Sequence, residues 1–189
     1  MATEEPKFGL IEKNGDFELR LYKPMIVAET YVEGSLSEAS SAGFRLIAGY
    51  IFGGNKSRQG SASESIAMTA PVTLEPSPQN IKMTAPVVVE STGNRWRVQF
   101  VMPAGYTLNS LPIPNDSRVS LREIPEQKTA VIEFSGFAGD EKVKDKTAIL
   151  QNWMKSRGLV ATSNPQLARY NPPWTLPFLR RNEILINIQ

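Results

Sequence analysis

Two segments roughly a hundred residues apart follow the same pattern, and this limits the fold more than any other feature of the chain. Phe17 to Gly34 reads FELRLYKPMIVAETYVEG, and Val119 to Gly136 reads VSLREIPEQKTAVIEFSG. Each has a short alternating run, a Pro-containing dipeptide and a second alternating run ending at Gly, which predicts a β-hairpin in each. A helical stretch follows each one, Ser37 to Phe52 and Glu141 to Arg157, closed by Gly53-Gly54 and by Gly158. Strands follow again: Ile66 to Glu75, Ile81 to Glu90 and Arg95 to Met102 in the first half, Gln166 to Tyr170 and Glu183 to Ile188 in the second. The pattern predicts an α+β fold from a duplicated ββαββ-type unit with two helices, its apolar sheet faces closed by packing the halves together. One domain spanning 1–189 is expected, with halves at about 8–105 and 115–189.

A sharper repeat sits inside the first half. IAMTAPVTLE at 66–75 recurs fifteen residues later as IKMTAPVVVE at 81–90. Pro71 and Pro86 each lack a ladder donor, so they are expected at an edge or bulge. Met68 and Met83 are either core fillers or soft thioether donors to a ligand.

The composition matters mainly for what it lacks. With no Cys and no His, the chain has no disulfide, no Cys or His zinc site, no thiolate nucleophile and no Ser-His-Asp triad. The usual proton carrier near neutral pH is missing too. Twenty-one basic and 19 acidic residues give a net charge of +2 with no long basic block, so a nucleic-acid partner is not expected. No apolar run is long enough to span a membrane and no signal peptide is read at the N-terminus, so the chain reads as soluble and cytoplasmic.

Two regions could hold a ligand. In the first helix the apolar residues cover most of the circumference, from Ala39 to Phe52, and the small residues Ala42, Gly43, Ala48 and Gly49 give a flat partner room near the backbone. Such a helix is either buried on all sides or lines a groove. The second helix carries a single apolar stripe of Val143, Thr147, Leu150, Trp153 and Met154, as a surface helix does. Further on, ARYNPPWTLPFLRRNEILI at 168–186 sets Tyr170, Trp174 and Phe178 beside Arg180-Arg181. Aromatic rings next to fixed cations suit a planar anionic ligand, and the same stretch also reads as a Pro-rich connection to the last strand. The Gly/Ser-rich loop 53–65 adds Lys56 and Arg58.

GYIFGGN at 49–55, MTAPV at 68–72 and 83–87, and RYNPPWTLPFLRRNEI at 169–184 together resemble the SOUL haem-binding protein family, in the same order and over nearly the whole chain. The resemblance implies a distorted β-barrel with pseudo-twofold symmetry, similar to gyrase-inhibitor-like sensing domains, that binds haem or another tetrapyrrole non-covalently. It places the family's apolar groove on Phe44, Arg45, Ile47, Ala48 and Tyr50, and the aromatic residue of its C-terminal motif on Tyr170. Met68, Met83, Trp174 and Arg180 complete the candidate binding set, with no catalytic or metal residue assigned. Some family members are thought to ligate iron through His, which is absent here, so any axial ligand would have to be Tyr, Met, Lys or an exogenous species.

The preferred functional expectation is a non-catalytic tetrapyrrole carrier, buffer or sensor. An enzyme using Tyr or a carboxylate such as Glu64, Glu75 or Glu90 is an alternative, although no spacing fixes a catalytic pair. A module whose groove takes a partner's amphipathic helix is another. The sequence leaves the oligomeric state open.

Overall fold

The computed structural model describes residues 4–60, 62–77, 95–172 and 174–189. In chain order these form β1 (Phe8–Asn14), β2 (Phe17–Tyr22), β3 (Met25–Glu33), α1 (Leu36–Ile51), β4 (Asn55–Lys56), β5 (Val72–Pro76), β6 (Arg95–Val101), β7 (Ile113–Pro114), β8 (Ser120–Ile124), β9 (Gln127–Ser135), α2 (Asp140–Ser156), β10 (Gln166–Arg169), a 3-10 turn (Pro177–Leu179) and β11 (Arg181–Ile188). Apart from the short β4–β7 ribbon, the described strands make one antiparallel sheet in the order β1-β2-β9-β11-β10-β5-β6-β3-β8, curled into a half-barrel.

That order carries the duplication. If β2, β3, β5 and β6 are exchanged for β8, β9, β10 and β11, the series from β2 to β8 reads as itself in reverse. The pseudo-twofold axis therefore falls between β5 and β10, where Leu74 lies opposite Leu167.

The two sequence-predicted hairpins are not hairpins, and the reason is chemical. β2 pairs with β9, and β3 pairs with β8. Tyr22 lies opposite Gln127 and Met25 opposite Ile124, so one register runs through both pairings, interrupted only at Lys23-Pro24 and Pro125-Glu126. A two-residue hairpin turn favours φ > 0 and therefore Gly, Asn or Asp; Lys-Pro and Pro-Glu supply none of these. They kink a continuous ribbon shared by the two halves. Because β2–β9 and β3–β8 sit at opposite ends of the sheet order, one ribbon can serve both only if the sheet curls.

β1, which the sequence reading did not anticipate, joins β2 through a true two-residue turn at Gly15-Asp16, with Asn14 opposite Phe17 and Gly15 at φ 59°. Its residues are mostly exposed, so it shows no apolar alternation, and the Gly-Asp pair was the available signal. Pro71 is at neither an edge nor a bulge. It immediately precedes β5, a central strand, where its missing donor interrupts no ladder. Its copy at Pro86 lies outside the described residues.

Both helices pack on one face of the sheet, α1 over β3 and β6, α2 over β9 and β11. Ser35 caps α1 through a reciprocal box with Glu38. Gly43 faces β6 so closely that a Cβ there would lie 2.5 Å from the Val98 side chain. The core between helices and sheet includes Ile47, Tyr50, Ile51, Val98, Leu150 and Ile184. Trp153 of α2 stacks on Phe17 with ring centroids 4.9 Å apart.

Candidate functional site

Since α1 covers β3 and β6 while α2 covers β9 and β11, the central strands β5 and β10 lie between the helices at the floor of a cleft. Phe100, Val72, Arg169, Asn182 and Phe134 are successive cross-strand neighbours in one row from β6 to β9. On the α1 side Phe44 lies against Phe100, with ring centroids 5.5 Å apart. At the floor Arg169 donates to Ser40 Oγ of α1 at 3.1 Å and to the Ala138 carbonyl ahead of α2 at 2.9 Å. No carboxylate among the described residues lies within ion-pair distance of this guanidinium. Burial, reinforced by the nearby Arg180 and opposed in part by the Asp140 charge, lowers its pKa. On the far wall Arg180 stacks over exposed Phe137 at 4.9 Å. Phe44 and Phe137 are thus exposed rings on the α1 side and the α2 side of Arg169, with Arg180 over Phe137.

This arrangement separates the α1 candidates by face. Phe44 and Arg45 are exposed. Ile47 and Tyr50 are fully buried in the core, and Ala48 is buried beside them. These three lie on the stripe, shared with Ala39 and Gly43, that seats the helix on the sheet. Gly43 likewise leaves no room for a ligand, since Val98 occupies that space. The Tyr50 hydroxyl donates to the Pro112 carbonyl at 2.9 Å, and burial pushes its pKa up to about 12.

Tyr170 is on the other face of the sheet. Strand alternation sets Leu167 and Arg169 toward the helices and Ala168 and Tyr170 away from them, so within the quoted motif Arg169 reaches the cleft and its neighbour does not. The Tyr170 hydroxyl donates to Glu183 Oε2 at 2.6 Å, and burial, then the Glu183 charge, raises its pKa. Glu183, fully buried, also accepts two bonds from Arg20, each 2.9 Å, and Arg20 bonds Glu18 and the Tyr22 hydroxyl in turn. Burial works against the charge on Arg20, but pairing with Glu183 outweighs it and raises the pKa. Phe8 of β1 covers the guanidinium at 4.4 Å.

The remaining candidates are scattered. Trp174 and Phe178 are exposed at the outer rim of the α2 wall, Met68 is partly exposed on the segment leading into β5, and Met83 lies outside the described residues. Lys56 and Arg58 are beyond the far end of α1, Arg58 donating to the Leu111 carbonyl at 2.8 Å. Glu75 is buried and paired with Arg97, the Glu64 backbone bonds Asn55 on both sides, and Glu90 lies outside the described residues. The sequence reading missed Arg169 and Phe137 in the region between the helices.

A separate cavity of about 700 Å³ opens at the kink of the ribbon, lined by Met25, Ile26, Ile124, Met102, Tyr106 and the N-terminal segment 4–7 among others. Among the described residues, no helix is long and apolar enough to cross a membrane.

A family model described as SOUL heme-binding protein matches residues 3–187. No curated protein matches the chain in sequence. Among solved structures, the C-terminal domain of EcmrR is similar with a TM-score of 0.63 at 13% identity, covering 92% of this chain and 96% of that one. EcmrR in a DNA complex gives 0.64 at 12% identity, covering 92% of this chain and 57% of that one. A hydrolase from Listeria innocua gives 0.59 at 12% identity, covering 95% and 94%. At such identities the likeness concerns the fold.

Proposed function

The chain belongs to the SOUL haem-binding family, and we propose that it binds haem or a related tetrapyrrole non-covalently in the cleft between α1 and α2, as a carrier, buffer or sensor rather than a catalyst. The observation that carries this reading is Arg169: a half-buried guanidinium with no carboxylate among the described residues in ion-pair contact, between the elements that carry the exposed rings of Phe44 and Phe137. A ring system bearing carboxylates matches it in shape and charge. Haem would bring a planar apolar face, two propionates and an iron with open axial positions.

The residues fit the ring and its carboxylates better than the iron. The chain has no His. The Tyr50 and Tyr170 hydroxyls are both buried and committed to protein acceptors, while Met68 is partly exposed. Stacking that buries about 300 Å² gains roughly 7 kcal/mol, against an association cost of at least about 4 kcal/mol. Micromolar affinity therefore requires the propionates to pair with Arg169, Arg180 or Arg45.

Titration with haemin and with iron-free protoporphyrin tests the reading. Both are expected to saturate, within about tenfold of each other, a difference of roughly 1.4 kcal/mol, and to be recovered unchanged after hours. Affinity should be nearly flat from about pH 6 to 8, since no His titrates there. Arg169→Met should weaken both ligands about tenfold or more at unchanged fold. Absence of binding, or turnover of either ligand, overturns it. The cavity at the ribbon kink supports a second reading, because its volume lies within the range of about 300–1,000 Å³ typical of small-molecule sites. Loss of binding in Ile124→Glu but not in Arg169→Met would move the site there.

A further inference from the structure

The segment between β10 and β11 presents its apolar side chains to solvent, and its backbone holds them there. Trp174 is 83% exposed and Phe178 70%, and Leu176, Leu179 and the neighbouring Phe137 are each more than half exposed. The loop cannot easily turn them inward. Thr175 N–H bonds the Pro172 carbonyl, Leu179 N–H the Leu176 carbonyl and Arg180 N–H the Pro177 carbonyl, at 2.9 to 3.1 Å. The Arg180 side chain ties back to the Thr175 carbonyl at 2.8 Å, and Asn171 Oδ1 accepts from Arg181 N–H at 2.7 Å. A contiguous apolar patch held outward in this way marks an interaction surface.

Its composition and shape indicate which kind. At such exposures Trp174 and Phe178 project into solvent. Trp, Phe and Leu on an ordered projection suit the boundary between headgroups and acyl chains. Cations surround its base: Arg180 lies over Phe137, Lys142 bonds the Ser135 carbonyl at 2.9 Å, and Lys146 is beside Phe134. With Arg169 they number four, against three acids on the first turns of α2, Asp140, Glu141 and Asp145. We propose that this Pro-stiffened loop docks the protein on an anionic phospholipid surface, with Trp174, Leu176, Phe178 and Leu179 entering the interface and Arg180 and Lys142 meeting the headgroups. The docking goes beyond the tetrapyrrole reading and does not depend on it.

Flotation of ligand-free protein with vesicles of phosphatidylcholine, with and without phosphatidylglycerol, tests this. The wild type is expected to float with the phosphatidylglycerol vesicles and much less with phosphatidylcholine alone, with a blue shift of tryptophan emission, and to be released by salt. The double variant Trp174→Ser/Phe178→Ser should bind at least about tenfold more weakly. Because both side chains are exposed, its melting temperature and circular dichroism should match wild type, so a folding failure would be recognised. A second double variant, Leu176→Ser/Leu179→Ser, should behave alike. Absence of vesicle binding at low salt, or binding as strong as wild type by both double variants, overturns the proposal. So does a dimer that the variants dissociate in the absence of vesicle binding, which would assign the patch to a second copy of the chain. Each of these outcomes leaves the porphyrin titration to be judged separately.

Discussion

Arg20 and Arg122 occupy equivalent positions in the two halves, each fourth in its repeat, on β2 and on β8. Their surroundings differ sharply. The Arg20 side chain is 4% exposed and reaches across β9 to a Glu183 side chain that is 1% exposed, while Arg122 is 42% exposed and pairs with Glu29 on the adjacent strand. The cause is the one strand without a counterpart. β1 extends the sheet beyond β2 and lays Phe8 over Arg20, whereas β8 is an edge. The two halves therefore share the position, and the presence of β1 decides whether the charge there is removed from water.

That contrast is easiest to break with one substitution made twice. Removing one member of a buried pair leaves the other charge desolvated and costs about 3–5 kcal/mol, whereas Arg122 is already 42% exposed and the buried Glu29 it would leave keeps its bond from Gln99 at 2.8 Å. Arg20→Met should lower stability by that amount and Arg122→Met by clearly less, both read by urea unfolding. Adding Glu183→Leu to Arg20→Met should recover part of the loss, because an apolar pair no longer strands a carboxylate. Equal losses at the two sites would mean that the cover from β1 does not matter.

The same cover sharpens into a pH dependence. Burial raises the Tyr22 pKa to about 12, that of Tyr50 to about 12, and that of Tyr170 as well. In the unfolded chain these phenols ionise near pH 10. The folded state thus holds its protons more tightly, and the stability this gives is complete below about pH 10 and lost as pH rises toward 12. Together the three groups should cost a few kcal/mol over that window. Tyr22→Phe should flatten the alkaline limb by its share, with Tyr31→Phe as an exposed comparison. An unchanged limb in Tyr22→Phe would show that its phenol ionises as easily when folded as when unfolded.

The fold was readable in the sequence where local pattern decides it. Both helices, their Gly stops and most strands of each half follow from apolar spacing, and the duplication follows from comparing the two runs; of the run expected at Ile66 to Glu75 only the part from Val72 is a strand, and the run expected at Ile81 to Glu90 lies outside the described residues. What was not readable was pairing: the pattern FELRLYKPMIVAETYVEG fits a hairpin and a kinked ribbon equally well, and only the absence of Gly or Asn at Lys23-Pro24 favours the ribbon. The cleft was half readable for the same reason. Apolar content identified α1, but which residues face outward depends on where the sheet lies, so Phe44 and Arg45 stay outside while Ile47 and Tyr50 enter the core. At Arg169-Tyr170 one step of strand alternation separates a cleft residue from one on the opposite face, and the eye goes to the aromatic.

The last difference between the halves is the repeated decapeptide, which the second half lacks, and removing one copy should have the smallest effect. Deleting Ile66 to Asn80 brings Ile81 to Glu90 to the place of Ile66 to Glu75 in unchanged order. Glu90 then replaces Glu75 opposite Arg97 and Val89 replaces Leu74 opposite Val98, with the buried ion pair to Arg97 preserved in kind. Continuing that register sets Ser91 against Trp96 and Thr92 against Arg95, leaving Gly93-Asn94 as a two-residue turn of a favoured type. Leu→Val at the buried site should cost about 1 kcal/mol. Replacing the connection 77–94 by two residues returns roughly 2 kcal/mol of loop-closure entropy. The variant should therefore unfold cooperatively within about 1–2 kcal/mol of the parent. A non-cooperative transition would mean that the two copies are not interchangeable as the strand beside β6, and that the first half requires both.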